Sequence, residues 1–94
     1  MKSYTIDYSA QAKQDLRDLT LYIALDNLNK AFEFSREIEN EIANLSLFPL
    51  LGKEDKSTES RKLFKKPYTI YYTVDEKAKK IEIVHIRHGA RKPL

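Results

Sequence analysis

Apolar and polar positions change period several times along this chain. Tyr4, Ile6 and Tyr8 alternate with Thr5 and Asp7, which predicts a half-buried strand. From Ser9 the period becomes helical: Ala12, Leu16, Leu19 and Ile23 form one stripe, while Lys13, Gln14, Arg17 and Asp18 face away. Ser9 is a good N-cap, so a helix is expected from about Ala10 to Leu25. Asp26-Asn27-Leu28-Asn29 is turn chemistry, and either asparagine can cap the next helix. A second stripe runs through Ala31, Phe34, Ile38, Ile42 and Leu45, widened by Phe32 and Ala43, and predicts a helix over Lys30 to Leu47. Pro49 and Gly52 end it. Glu33, Glu37, Glu39 and Glu41 make its outer face acidic, which reads first as a solvated surface. Two helices with so short a link must pack as an antiparallel hairpin.

Residues 49–60 read as a loop, because Lys53 to Ser60 contains no apolar side chain. Three strands are expected beyond it. They are Arg61 to Phe64, Tyr68 to Val74 and Ile81 to Arg87. In the second, Tyr68, Ile70, Tyr72 and Val74 share one face, and Tyr68 and Tyr72 are read as core. In the third the apolar phase flips between Ile83 and Val84, so either a bulge sits near Val84 or the strand is central and covered partly on both faces. The order β-α-α-β-β-β predicts an α+β domain: a small, mainly antiparallel sheet with a helical hairpin on one face. There is no repeat or linker, so residues 1–94 are expected to form a single domain.

Composition narrows the function classes. With no cysteine among 94 residues, a disulfide scaffold, a zinc ribbon and a thiol nucleophile are excluded. No apolar run approaches the roughly 20 residues a membrane span needs, and the N-terminus lacks an apolar export segment, so a cytoplasmic location is expected. Charge is unevenly spread. Residues 1–60 carry 7 basic and 11 acidic side chains, and residues 61–94 carry 10 and 3. A basic final third on an acidic body suits a polyanionic partner or an acidic protein surface.

Candidate chemistry therefore gathers in that final third. His85 and His88 lie three apart on a strand and its end, so they face opposite ways and suggest no metal site. No phosphate-cradling glycine loop and no nucleophile elbow is present, and no cofactor is expected. Arg61, Lys62, Lys65 and Lys66 flank one strand, and Arg87, His88, Arg91 and Lys92 lie at the end of another. In a meander the two sets can meet at one sheet edge beside Tyr68, Tyr71 or Tyr72. Such a cluster could serve a metal-free ribonuclease, or grip a phosphate backbone or an acidic protein. Arg61, Lys62, Arg87, His88, Arg91 and Lys92 are the expected target-binding residues, with catalytic roles unassigned.

An ordered set of residues resembles the RelE/ParE superfamily of type II toxin–antitoxin toxins. It runs through Ser9, Ala12, Asp15 and Leu16, Tyr22-Ile23-Ala24 with Asp26-Asn27, Ala31, Ile38, Ile42, Leu45, Phe48-Pro49 and Gly52. It continues through Arg61, Leu63, Tyr68, Ile70 and Tyr72 to Ile86-Arg87-His88-Gly89-Ala90-Arg91. The terminal His88-Gly89-Ala90-Arg91 resembles the ParE branch. RelE-like toxins carry an arginine after the tyrosine that opens the middle strand and tend to have a tyrosine after the basic cluster. Here Thr69 follows Tyr68, and only Lys92-Pro93-Leu94 follows Arg91. The resemblance implies a bacterial growth inhibitor that poisons DNA gyrase, hydrolyses nothing itself, is neutralised by a cognate antitoxin and meets operator DNA only through it. Two alternatives stay open: a ribosome-dependent mRNA endonuclease of RelE type, and a low-toxicity module that only binds an antitoxin.

Overall fold

The computed structural model describes residues 3–89. The chain runs β1 (Thr5–Tyr8), α1 (Ala10–Asp26), α2 (Leu28–Ala43), a 3-10 turn at Asn44–Ser46, then β2 (Lys53–Asp55), β3 (Ser60–Lys65), β4 (Tyr68–Asp75) and β5 (Lys80–His88). The five strands form one sheet in the order β1-β5-β4-β3-β2. β1 pairs with β5 in parallel, and every other pairing is antiparallel. Both helices lie on one face of the sheet, giving the expected two-layer α+β architecture.

The helix ends follow from side-chain capping. Ser9 Oγ accepts the Ala12 N–H at 3.0 Å and opens α1. Asn27 then closes α1, donating its N–H to Ile23 O, and opens α2 by accepting the Lys30 N–H on its side chain. One residue thus does both jobs, so α2 begins two residues earlier than its apolar stripe suggests. α2 also ends earlier. Its last turn tightens into the 3-10 segment, where Ser46 Oγ donates to Tyr4 O at 2.7 Å and Tyr4 N donates to Ser46 O at 2.9 Å. This exchange clamps the helix end to the start of β1.

The core is the layer between sheet and hairpin. Ala12, Phe34, Ile38, Ile42 and Leu45 pack there against Leu63, Ile70, Tyr72, Ile81, Ile83 and Ile86. Full burial of each large aliphatic side chain contributes about 1.5–3 kcal/mol.

The phase flip in the last strand is a bulge. Tyr71 pairs with His85 and Tyr72 with Ile83, so Val84 is the extra residue. The bulge turns Ile86 back into the core while Ile83 stays there. Its freed backbone groups are satisfied from outside the sheet. Ser9 Oγ donates to Val84 O at 2.9 Å, and Ile86 N–H donates to Asp15 Oδ2 at 3.0 Å. The strand is central as well, with β1 and β4 on its two sides.

The expected loop over 49–60 contains a strand that the sequence pattern does not announce. Lys53, Glu54 and Asp55 pair with Lys62, Arg61 and Ser60. Three polar residues carry no periodic signal. β2 is held instead by backbone pairing and by a buried tyrosine at its root: Gly52 N–H donates to Tyr72 Oη at 2.7 Å, and that hydroxyl donates to Pro49 O at 2.9 Å. Glu59, with φ of 55°, turns the chain back into β3.

Candidate functional site

Alternation in the strands sorts their side chains onto two faces. Among the described residues no helix covers the face turned from the hairpin, and the pairing registers lay it out in rows. One row holds Phe64, Thr69 and Arg87 on β3, β4 and β5. The next holds Lys53, Lys62, Tyr71 and His85 on β2 to β5. Beyond it Ser60 lies opposite Asp55, and Thr73 lies opposite Glu82, which pairs in turn with Asp7. The face therefore grades from aromatic and basic to acidic along the strand direction.

The second row is built tightly. Lys62 Nζ lies 2.9 Å from Asp55 Oδ2 and 5.5 Å from the Tyr71 ring centroid, a cation–π distance. The Tyr71 and His85 rings meet edge-on at 6.3 Å. His85 Nδ1 is buried, has no hydrogen-bond partner, and sits 3.6 Å from the Asp15 carboxylate that holds the bulge. Beside these rings is a groove of about 370 Å³, lined by Thr58, Ser60, Tyr71, Thr73, His85 and Arg87.

Asp55 organises the turn at this end. It accepts from the Ser57 hydroxyl at 2.7 Å and the Ser57 N–H at 3.1 Å. The Ser57 hydroxyl, with Lys62 next, holds its carboxyl far below the usual carboxylate range. The bond to Asp55 in turn raises the Lys62 ammonium above its ordinary value. A depressed carboxyl stabilises the fold above its unfolded pKa of about 3.9, and that contribution disappears as pH falls towards its folded value. The raised lysine contributes below about 10.4 and fades at higher pH. Asp55→Asn is therefore expected to lower stability at neutral pH, with the gap to the native chain narrowing steadily below pH 4. Urea melts of both proteins from pH 2 to 7 check this; a gap independent of pH would contradict it.

The structure divides the six expected target-binding residues. Lys62 and Arg87 share the open face, flanking β4 rather than meeting at a sheet edge. Arg61 and His88 pair with Tyr72 and Tyr68, so both point to the helix side. Arg61 Nη1 donates to Gly52 O at 2.7 Å and ties down the root of β2. The His88 ring stands edge-on to Tyr68 at 5.2 Å. Arg91 and Lys92 lie outside the described residues. His85 and His88 do face opposite ways, and among the described residues no three His, Asp or Glu side chains converge.

Lys53, Phe64 and His85 were not among the expected site residues. The outward phase of Thr69, Tyr71 and Thr73 was readable, but the bulge that turns His85 outward beside Tyr71 was only one of two readings. Asp15 entered only as part of the family resemblance, and nothing in its helical position announced a contact with the last strand.

The family model described as "ParE toxin of type II toxin-antitoxin system, parDE" matches residues 6–93. The chain belongs to the ParE toxin family. Solved structures share the fold of this ParE-family chain. A chain of the chromosomal ParDE toxin–antitoxin system from P. aeruginosa superposes with a TM-score of 0.76 at 20% identity, covering 92% of this chain and 96% of that one. A chain of the RelBE2 toxin–antitoxin complex from Mycobacterium tuberculosis gives a TM-score of 0.64 at 24% identity, covering 92% and 98%. No curated protein matches the sequence. Among the described residues of the ParE-family chain, no helix is long and apolar enough to cross a membrane.

Proposed function

We propose that this chain is the growth-arresting half of a toxin–antitoxin pair, that it poisons DNA gyrase, and that a cognate antitoxin neutralises it. Membership of the ParE family supports the first part. The observation that carries the choice of target is Thr69. It stands on β4 between Phe64 and Arg87, at the centre of the open face. A metal-free nuclease needs several cations around one scissile phosphate, and single acid–base groups contribute roughly 10²–10⁴-fold each. Here the central strand supplies Thr69, Tyr71 and Thr73, and its one charged residue, Asp75 at its far end, is an anion. A face of this kind is suited to holding a target rather than cutting one.

In this reading Lys62 and Arg87 contact the gyrase complex, with Arg91 and Lys92 following Arg87 in the chain. Arg61 and His88 position the strands. The antitoxin is assigned to the hairpin side, where Leu21, Leu25, Leu28 and Phe32 are each more than half exposed. That much apolar surface favours a partner helix. Operator DNA is met through the antitoxin alone.

Expression of the chain without its antitoxin is expected to arrest growth and leave gyrase covalently trapped on broken DNA, with both effects reversed by the antitoxin. Growth arrest with intact DNA and cleaved mRNA would contradict the gyrase reading and favour the ribosome. Unimpaired growth would leave only an antitoxin-binding role.

A further inference from the structure

The open face carries more than two cations for a protein target. Phe64 is 58% exposed in the middle of β3, and among the described residues no helix lies over it. A large aromatic ring displayed on an uncovered sheet face costs solubility and adds nothing to this core. Beside it, one row further, lie the Tyr71 and His85 rings. Cations frame these rings on three strands: Lys53 on β2, Lys62 on β3 and Arg87 on β5. Asp55 occupies one of the three donor directions of Lys62 and leaves the others available. The acidic Glu82 and Asp7 begin two residues further along the strands and would confine a polyanion to the Phe64–Arg87 end. Strand spacing of about 4.8 Å and a residue rise of about 3.3 Å put the Lys62 and Arg87 backbones roughly 12 Å apart across Tyr71 and Thr69.

We infer that this face binds single-stranded nucleic acid, with bases stacked on Phe64 and on the Tyr71–His85 pair and phosphates on Lys53, Lys62 and Arg87. Stacking platforms framed by cations accept any base, because every base has a π-face. Exposed bases are required, so a duplex is a poor ligand. An acidic peptide would use the cations and ignore Phe64. The inference deepens the target assignment above, since it names a polynucleotide strand as what the open face grips. It rests on that reading only for its biological setting.

The test uses the full chain without gyrase. Binding of fluorescent 12-mers of dT and of U is followed by anisotropy at 50 to 200 mM salt. Three phosphate contacts on a single strand predict a log–log salt slope of about −2. Phe64→Ala, at an exposed position that leaves the fold intact, is expected to weaken binding about 10-fold or more. Arg87→Gln should weaken it similarly and flatten the slope by about 0.7. Lys77→Gln, an equal charge loss in the β4–β5 turn, should change affinity less than 2-fold. A dU 12-mer differs from the U 12-mer only at the 2′ position, and the tighter of those two identifies the sugar. Unchanged binding by Phe64→Ala would overturn the inference, as would a duplex bound equally well or competition by polyglutamate at equal charge. Oligonucleotide binding by a protein without effect on gyrase would uphold this inference and remove the gyrase reading. Gyrase poisoning by a protein that binds no oligonucleotide would do the reverse.

Discussion

Gly52→Ala is expected to destabilise the domain by about 3 kcal/mol. The reason is space. A Cβ built on Gly52 would lie 2.7 Å from both Cε1 and Oη of Tyr72 and 2.8 Å from the Lys62 carbonyl oxygen. None of these can retreat cheaply. Lys62 is paired with both Lys53 and Tyr71 in the sheet. Tyr72 is fully buried, and its hydroxyl both accepts from Gly52 and donates to Pro49. Burial, partly offset by the Gly52 N–H and Arg61, pushes that hydroxyl's pKa up and keeps it a neutral donor.

A loss of about 3 kcal/mol matters against the roughly 5–15 kcal/mol that holds a typical domain together. Tyr72→Phe keeps the ring but strands the two groups the hydroxyl served, costing about 1–3 kcal/mol. The double variant should be more stable than the two losses summed, because removing Oη relieves one of the short contacts. Urea melts of the four proteins measure this. A Gly52→Ala midpoint equal to that of the native chain would contradict the packing described.

The largest functional effect is expected from Lys62→Gln combined with Arg87→Glu. Both side chains point away from the core, so the fold should survive, with Tm lowered only by loss of the Lys62–Asp55 pair. Hydrogen bonds to charged groups contribute about 1.5–3 kcal/mol each, so losing two implies target binding weakened about 100-fold or more. Growth arrest should vanish, while capture by the antitoxin on the helix side persists. Arg61→Gln is the instructive contrast. Its guanidinium ties down Gly52, so any loss of toxicity there should follow a loss of stability. Full toxicity in the folded Lys62/Arg87 variant would place the target surface elsewhere.

Much of the fold was legible because its signals are periodic. The stripes Ala12-Leu16-Leu19-Ile23 and Ala31-Phe34-Ile38-Ile42 mark the hairpin, and both lie against the sheet. The phase flip at Val84 was the trace of the bulge. β2 was not legible, since Lys53-Glu54-Asp55 becomes a strand only through long-range contacts with β3 and Tyr72. The site was half legible for the same reason. Charge pointed to Arg61, Lys62, Arg87 and His88, but only the strand register assigns Lys62 and Arg87 to one face and Arg61 and His88 to the other. Arg61 read as functional because it is basic and beside a turn, and that reading could not show that its guanidinium also holds the Gly52 carbonyl.

Gyrase as the target is what matters most to test, and the purified reaction does so without intermediaries. The chain would be mixed with gyrase, relaxed plasmid and ATP, and supercoiled and linear DNA would be read after protein digestion. Lost supercoiling together with linear product is expected, both absent with the Lys62/Arg87 variant. Normal supercoiling and no linear DNA, at a large excess of folded toxin, would contradict the gyrase target.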